Sequence, residues 1–321
     1  MNRKHLISIS ISLLLLLFLY QQLAFNKALS HLQQLSWPPI LMAILLFPLI
    51  FLSLAFRLQL LTQPLSPLKF PNALGLVSLS NLLNIILPAK MGDLCKAYFL
   101  STHHQIKGSK SLAITIVEKL FDLLGLIFIC MIGLIYSPLP KHLPANIIIP
   151  IISLLFIVSI SLLLLPLRLR IIQSLLHLMP SKRLRSKLPD IFEHFLNYRQ
   201  LLRQSPQNFI AITSLSCLFS GLCILQLWLL FRGIAPTLPL GTGLGLIPLG
   251  ILAGLMPLTI SGIGARDITF VGLFTAISSL EAATLFGALS TLRILAMGLP
   301  GLSVVKHYLK DWRNLSNPPH L

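Results

Sequence analysis

An all-α, polytopic helical membrane protein of about six to eight transmembrane helices with two re-entrant hairpins is the fold class this sequence predicts. Three observations carry the prediction. The 321 residues are 55% hydrophobic and only 10% charged, with a mean hydropathy of +0.86, whereas soluble domains hold roughly 25% charged residues. Several apolar runs approach the ~20 residues a spanning helix needs, and the short alternating strands of a β-barrel are missing. Two stretches, Asn81–Asp122 and Gly241–Asp267, interrupt the apolar pattern with proline, glycine and charge.

The elements follow in chain order. A basic start, Met1–His5, leads into an apolar run over 6–25 with no small-x-small cleavage site after it, so it reads as a retained first span and not a signal peptide. Trp37-Pro38-Pro39 opens a second span over 38–61; Trp suits the interface and Pro the first helical turn. Residues 72–104 form the first hairpin, turning at Leu87-Pro88 and Gly92. Pro removes a backbone donor and Gly permits a sharp turn, and irregular backbone at membrane depth persists only where protein or a water-filled cavity satisfies it. A third span, 111–136, carries Glu118, Lys119 and Asp122, and a fourth covers 146–167. Residues 168–206 interleave eight Lys and Arg with Leu, Ile and Phe, the pattern of a cytoplasmic segment with surface-lying amphipathic helices. A fifth span covers 208–231. The second hairpin starts at Gly241, is broken at Pro248 and Pro257, and ends Ser261-Gly262-Ile263-Gly264-Ala265-Arg266-Asp267. An apolar piece to about residue 280, a last span over 282–305 containing Arg293, and a polar tail complete the chain.

The formal net charge is +17. Nucleic acid is excluded as a partner by distribution, because the basic residues flank apolar runs, as topology determinants and anionic-lipid contacts do. With the N-terminus inside, 19 Lys and Arg fall on the cytoplasmic side, including six from Arg57 to Lys110; Lys27, Lys141 and Arg232 fall outside. Both termini are then cytoplasmic. The chain forms a single integral membrane domain over 1–321, divisible into span, span, hairpin, span, twice: 1–137 and 145–306. Three spans per copy invert the second copy, so the first hairpin enters from the cytoplasm and the second from outside, the architecture of many secondary transporters. Leu87-Pro88 with Gly92 and Lys96 answers to Met256-Pro257 with Gly262 and Arg266, one residue out of register.

The chain has only eight carboxylates, and Asp93, Glu118, Asp122 and Asp267 lie in or beside apolar runs. An intramembrane charge costs ~2.5–3.5 kcal/mol on insertion scales and usually faces an interior or a cavity. Glu118 and Asp122, spaced i, i+4, share a helix face, with Lys119 about 100° round. They form either a structural ion-pair network or a polar site for a headgroup or proton. Arg293 is a candidate partner for one of these carboxylates or a bidentate phosphate ligand. Lys96 and Arg266 end the two hairpin motifs, and Lys96 also fits a snorkelling interfacial role. Cys95, Cys130, Cys217 and Cys223 are scattered in apolar surroundings and read as small buried hydrophobes. His103-His104 is an isolated polar pair in a loop, without metal-ligand spacing. Gly262-x-Gly264 follows no strand and is not a nucleotide fingerprint. Ser261 has no histidine in its segment to activate it as a nucleophile. No cofactor or metal is expected.

The motifs Leu87-Pro88-x-Lys90-x-Gly92-Asp93-x-x-Lys96, Glu118-Lys119-x-x-Asp122, Pro257-x-x-x-Ser261-Gly262-x-Gly264-x-Arg266-Asp267 and Arg293 together resemble the lysylphosphatidylglycerol synthase transmembrane-region family, whose members are also described as flippase-like. The resemblance covers nearly the whole chain. Family members usually carry Gly-Glu and Arg where this chain has Gly92-Asp93 and Lys96, Arg where it has Lys119, and Arg-Glu where it has Arg266-Asp267. These changes keep charge, but Lys does not reproduce a bidentate Arg contact. The resemblance implies a flippase-like protein that binds or translocates a phospholipid or lipid-linked sugar, in a prokaryotic cytoplasmic membrane. It names Lys90, Asp93, Lys96, Glu118, Lys119, Asp122, Ser261, Arg266, Asp267 and Arg293 as substrate-binding candidates. It also implies membrane lipids and a glycosyltransferase as partners. Aminoacyl-transferring members carry a large soluble C-terminal domain; this sequence ends at Leu321, soon after its last span, so no enzyme activity of that kind is expected. Two rivals stand beside this expectation: a membrane-embedded transferase acting on a polyprenyl-phosphate or phospholipid, and a non-catalytic accessory subunit of a glycolipid-synthesis enzyme.

Overall fold

The computed structural model describes residues 35–87, 91–104, 106–136, 139, 143–165, 182–256 and 259–312, with backbone alone at 182–187, 260 and 309–312. The expected first span (6–25), Pro88, Lys90 and Pro257 lie outside the described residues. Among those residues there is no strand. The helices are α1 (Trp37–Thr62), α2 (Phe70–Ile86), α3 (Gly92–His104), α4 (Gly108–Tyr136), α5 (Ala145–Leu164), α6 (Lys182–Gln204), α7 (Pro206–Ile234), α8 (Leu240–Ala253), α9 (Ala265–Phe274) and α10 (Leu280–Trp312), with a 3₁₀ turn at Ile260–Gly262 before α9.

Five of these helices, α1, α4, α5, α7 and α10, are long and apolar enough to cross a membrane. They correspond to the spans expected at 38–61, 111–136, 146–167, 208–231 and 282–305. Pro occupies the first turn of α1, α2 and α7, where its missing N–H is no loss. The arms of the hairpins are shorter: 17 and 13 residues for α2 and α3, 14 and 10 for α8 and α9. At ~1.5 Å per residue none reaches the ~30 Å of a hydrocarbon core. Instead α2 packs on α3 and α8 on α9.

The packing is reciprocal. α1 and α7 lie side by side and antiparallel: Ser36 N donates to Gly233 O at 2.8 Å, Gln226 Nε2 to Ala43 O at 2.8 Å, and Arg57 Nη1 to Ser216 Oγ at 3.1 Å. α4 packs along α8, the first arm of the second hairpin; α10 packs along α2, the first arm of the first. Both crossings are made at a glycine. A Cβ on Gly133 would strike the backbone of Leu244 and Gly245, and one on Gly301 would strike the Ser78 carbonyl oxygen. The hairpins touch where α2 meets the Ile260–Gly262 turn. Each hairpin has its own apolar core. Leu58, Leu76, Phe99, Ile114 and Phe121 surround the first. Phe231, Phe270, Phe274 and Phe286 surround the second, with Phe270 and Phe286 ring centroids 4.6 Å apart.

Four sequence expectations are corrected. Arg57, counted among the cytoplasmic loop charges, is inside α1 and fully buried. The basic segment does form an amphipathic helix, α6, but it is packed against α4 and the bundle, with Phe195, Tyr198 and Leu202 buried. Tyr198 Oη donates to Leu61 O, and Arg199 Nη1 donates to Leu162 O at 2.8 Å and Leu165 O at 2.7 Å; the free carbonyls at helix ends attract such donors. His103 and His104 close the last turn of α3 and are not in a loop. The apolar piece after Asp267 ends its helix at Phe274, short of residue 280.

Candidate functional site

The expected pocket, with all acidic and basic groups converging, resolves into two networks. The first sits between α1, α3 and α4. Arg57, fully buried on α1, gives Nη2 to Glu118 Oε1 at 3.0 Å and Nη1 to Asp122. Lys96, only 3% exposed on α3, donates to the other Glu118 oxygen at 2.5 Å and lies 3.8 Å from Asp93. Lys119 Nζ reaches Asp93 at 2.9 Å and Asp122 at 3.4 Å, and Ser80 Oγ on α2 donates to Asp93 at 3.0 Å. Three cations meet three carboxylates, and every carboxylate touches two cations. Burial falls from Arg57, Glu118 and Lys96 to Lys119, whose side chain is 46% exposed; Lys119 is the open edge. The snorkelling role for Lys96 is overturned, because its ammonium points inward to Glu118.

The second network belongs to the second hairpin. Ser261 turns the chain at φ 53°, followed by Gly262 at φ 77° and Gly264 at φ 92°. Left-handed backbone is strained for Ser, and a Cβ on Gly262 would collide with Gly254 O. This turn delivers Arg266 and Asp267 to the first turn of α9. Asp267 accepts from Gly264 N at 3.0 Å, Arg266 Nη2 at 3.1 Å, Ser290 Oγ at 3.1 Å and Thr291 Oγ1 at 2.8 Å. Arg266 Nη2 also donates to Thr291 Oγ1 at 3.0 Å. Arg293 on α10 finds neither a first-network carboxylate nor Asp267; its Nε donates to Gln226 Oε1 on α7. Ser261 is buried in the turn.

Helix α7 joins the two. Ser216, Ser220, Cys223 and Gln226, all buried, lie along one side of it. Ser216 accepts from Arg57, and Gln226 holds Arg293. Cys223 is buried between them in the sequence of the helix. Ten residues of helix separate Ser216 from Gln226, ~15 Å of polar side chains inside an apolar bundle. Sequence reasoning missed Arg57, Ser80, Ser216 and Gln226. The available signal was polarity within apolar runs, read for Glu118 but not for Arg57, which lies close to the end of its helix.

Among the described residues no group of His, Cys, Asp and Glu is arranged to hold a metal ion. The four cysteines are free; Cys130 and Cys223 are buried and Cys95 and Cys217 half-buried.

A bundle of spanning helices with two broken hairpins and charge held between them defines a multi-pass integral membrane protein. The chain belongs to the lysylphosphatidylglycerol synthase TM region family, whose model matches residues 5–301. No curated protein and no solved structure gives a match.

Proposed function

We propose that this protein takes a lipid headgroup into its interior and passes it across the bilayer, as a flippase does, while the acyl chains stay in lipid. The observation that carries this reading is the polar row on α7, which links the charge network at the first hairpin to Arg293 on α10, the helix packed against the second. Charge inside a membrane protein ordinarily lines an interior pathway, and broken helices at repeat interfaces are where transporters bind substrate. The two halves are read as inverted repeats. In support, Gln226 follows Arg57 by 169 positions, the interval that separates Pro257 from Pro88, and the helices carrying Arg57 and Gln226 run antiparallel. The topology that goes with this reading has both termini cytoplasmic, in a prokaryotic inner membrane, with the first hairpin entering from the cytoplasm.

One observation favours the accessory-subunit reading. Although Arg57 Nε has no hydrogen-bond partner, the first network is internally neutral and every charge in it faces an opposite one, as in a purely structural ion cluster. Proteoliposomes holding labelled lipid separate the two. Glu118→Gln, Asp122→Asn and Arg293→Ala variants that fold are expected to lose headgroup translocation. Translocation at the unsubstituted rate in all three overturns the transport pathway. No translocation by the unsubstituted protein alone, restored on adding a co-purifying glycosyltransferase, assigns the accessory role.

A further inference from the structure

We infer that Arg293 and Arg266 form an anion subsite for a phosphate group, and that the phosphate is held at the second hairpin and not at the first-hairpin network. The inference rests on the proposed function for its setting and deepens it by assigning the charged part of the ligand to one place.

Charge balance carries it. In the first network every cation has a carboxylate. Around the second hairpin Arg266 Nη2 donates to Thr291 Oγ1 at 3.0 Å, two positions before Arg293 on α10, and one carboxylate, Asp267, serves that region. Its two oxygens already accept four hydrogen bonds, the full capacity of a carboxylate at roughly four lone-pair sites. Arg293 is left with a neutral amide, Gln226. Its Nη2 is buried without a hydrogen-bond partner, and so is Nε of Arg266, a residue 4% exposed.

The sequence holds no spare carboxylate to meet this need. Beyond the first network and Asp267 there remain Asp190, Glu193, Glu281 and Asp311. Asp190 and Glu193 are on the exposed side of α6. Glu281 and Asp311 lie 12 and 18 positions from Arg293 on α10, ~18 and ~27 Å along the axis. Arg293 is half-buried, and its Nη2 is sealed from water with no carboxylate beside it, a costly state for a charged group that an anion arriving from outside the chain relieves. The unused N–H groups on Nη2 of Arg293 and Nε of Arg266 suit phosphate, whose several oxygens accept charge-assisted hydrogen bonds from more than one residue. That chemistry is shared by a phospholipid headgroup and by free phosphate.

Thermal unfolding of the purified full chain in detergent tests the inference, with three probes: phosphatidylglycerol, inorganic phosphate, and diacylglycerol as a phosphate-free lipid. Phosphatidylglycerol is expected to raise Tm and diacylglycerol to leave it unchanged. Arg293→Gln is expected to weaken apparent phosphatidylglycerol affinity about tenfold, the scale of one lost charge-assisted contact. Arg293→Lys, which keeps the charge and loses the fork, should fall between; it also serves if Arg293→Gln does not fold. Arg232→Gln removes a charge that is bonded to Pro236 O and lies over the Trp228 ring, and should match the unsubstituted protein. An equal Arg293-dependent shift with inorganic phosphate assigns the site to free phosphate; a shift with the lipid alone assigns it to a headgroup. Unchanged phosphatidylglycerol affinity in folded Arg293→Gln or Arg293→Lys overturns the subsite. Arg293-dependent binding without translocation keeps the subsite and removes the flippase reading. Translocation of phosphate-free and phosphate-bearing lipids at equal rates does the reverse.

Discussion

The two hairpins solve the same problem with opposite electrostatics. At the first, Arg57 on α1 is clasped by Glu118 and Asp122 on α4, and Lys96 and Lys119 complete a neutral set. At the second, the long helix α7 offers the neutral Gln226, and the cation is Arg293 on α10. The polar link between the two long helices is kept while its charge is redistributed. A matched network resists change, since a group withdrawn from it leaves partners buried and unpaired. A network with a surplus cation has interaction left to offer a ligand.

Breaking the matched side should have the largest effect. Arg57→Ala takes from Glu118 and Asp122 one of the two cations each touches and leaves the buried network one positive charge short, and losing one member of a buried pair costs about 3–5 kcal/mol. It should abolish cooperative unfolding or lower Tm steeply, measured by thermal unfolding in detergent. A double variant, Arg57→Met with Glu118→Gln, should recover most of that loss, because Lys96 and Lys119 then face Asp93 and Asp122 and the network stays neutral. A double variant no more stable than Arg57→Ala would contradict the charge-matching account. The next effect sharpens the reciprocity of the halves. Gly133→Val and Gly301→Val each force a side chain into facing backbone, for about 1–3 kcal/mol of overpacking. Similar Tm losses at both sites are expected, and a loss at one crossing alone would break the equivalence. The smallest effect lies at the open edge: Lys119→Gln should cost at most ~1 kcal/mol, since a half-exposed ion pair contributes little, and the same melting experiment reads it.

The class, the long spans and the hairpin positions were legible because length, hydropathy and proline placement are local properties. Glu118 and Asp122 were legible because a carboxylate inside an apolar run is costly wherever its partner lies. Arg57 was not: a Lys or Arg close to a helix end is ordinarily a topology signal, and only packing against α4 shows its guanidinium turned inward. Gln226 and Ser216 escaped for a related reason. Neutral polar residues are common in spans, and their use depends on which helix lies opposite, here α1 and α10. The expected single convergence became two networks because each hairpin is wrapped in a separate aromatic or aliphatic core.

The amphipathic helix α6 has one more consequence. Its neighbouring residues Tyr198 and Arg199 grip the ends of two different spans, α1 from the earlier half of the chain and α5 from the later half. That makes α6 a strap across the seam. In the proposed transport cycle, rocking of one half against the other must either pivot at those carbonyls or let go of them, and the stiffness of this strap would limit opening on that side.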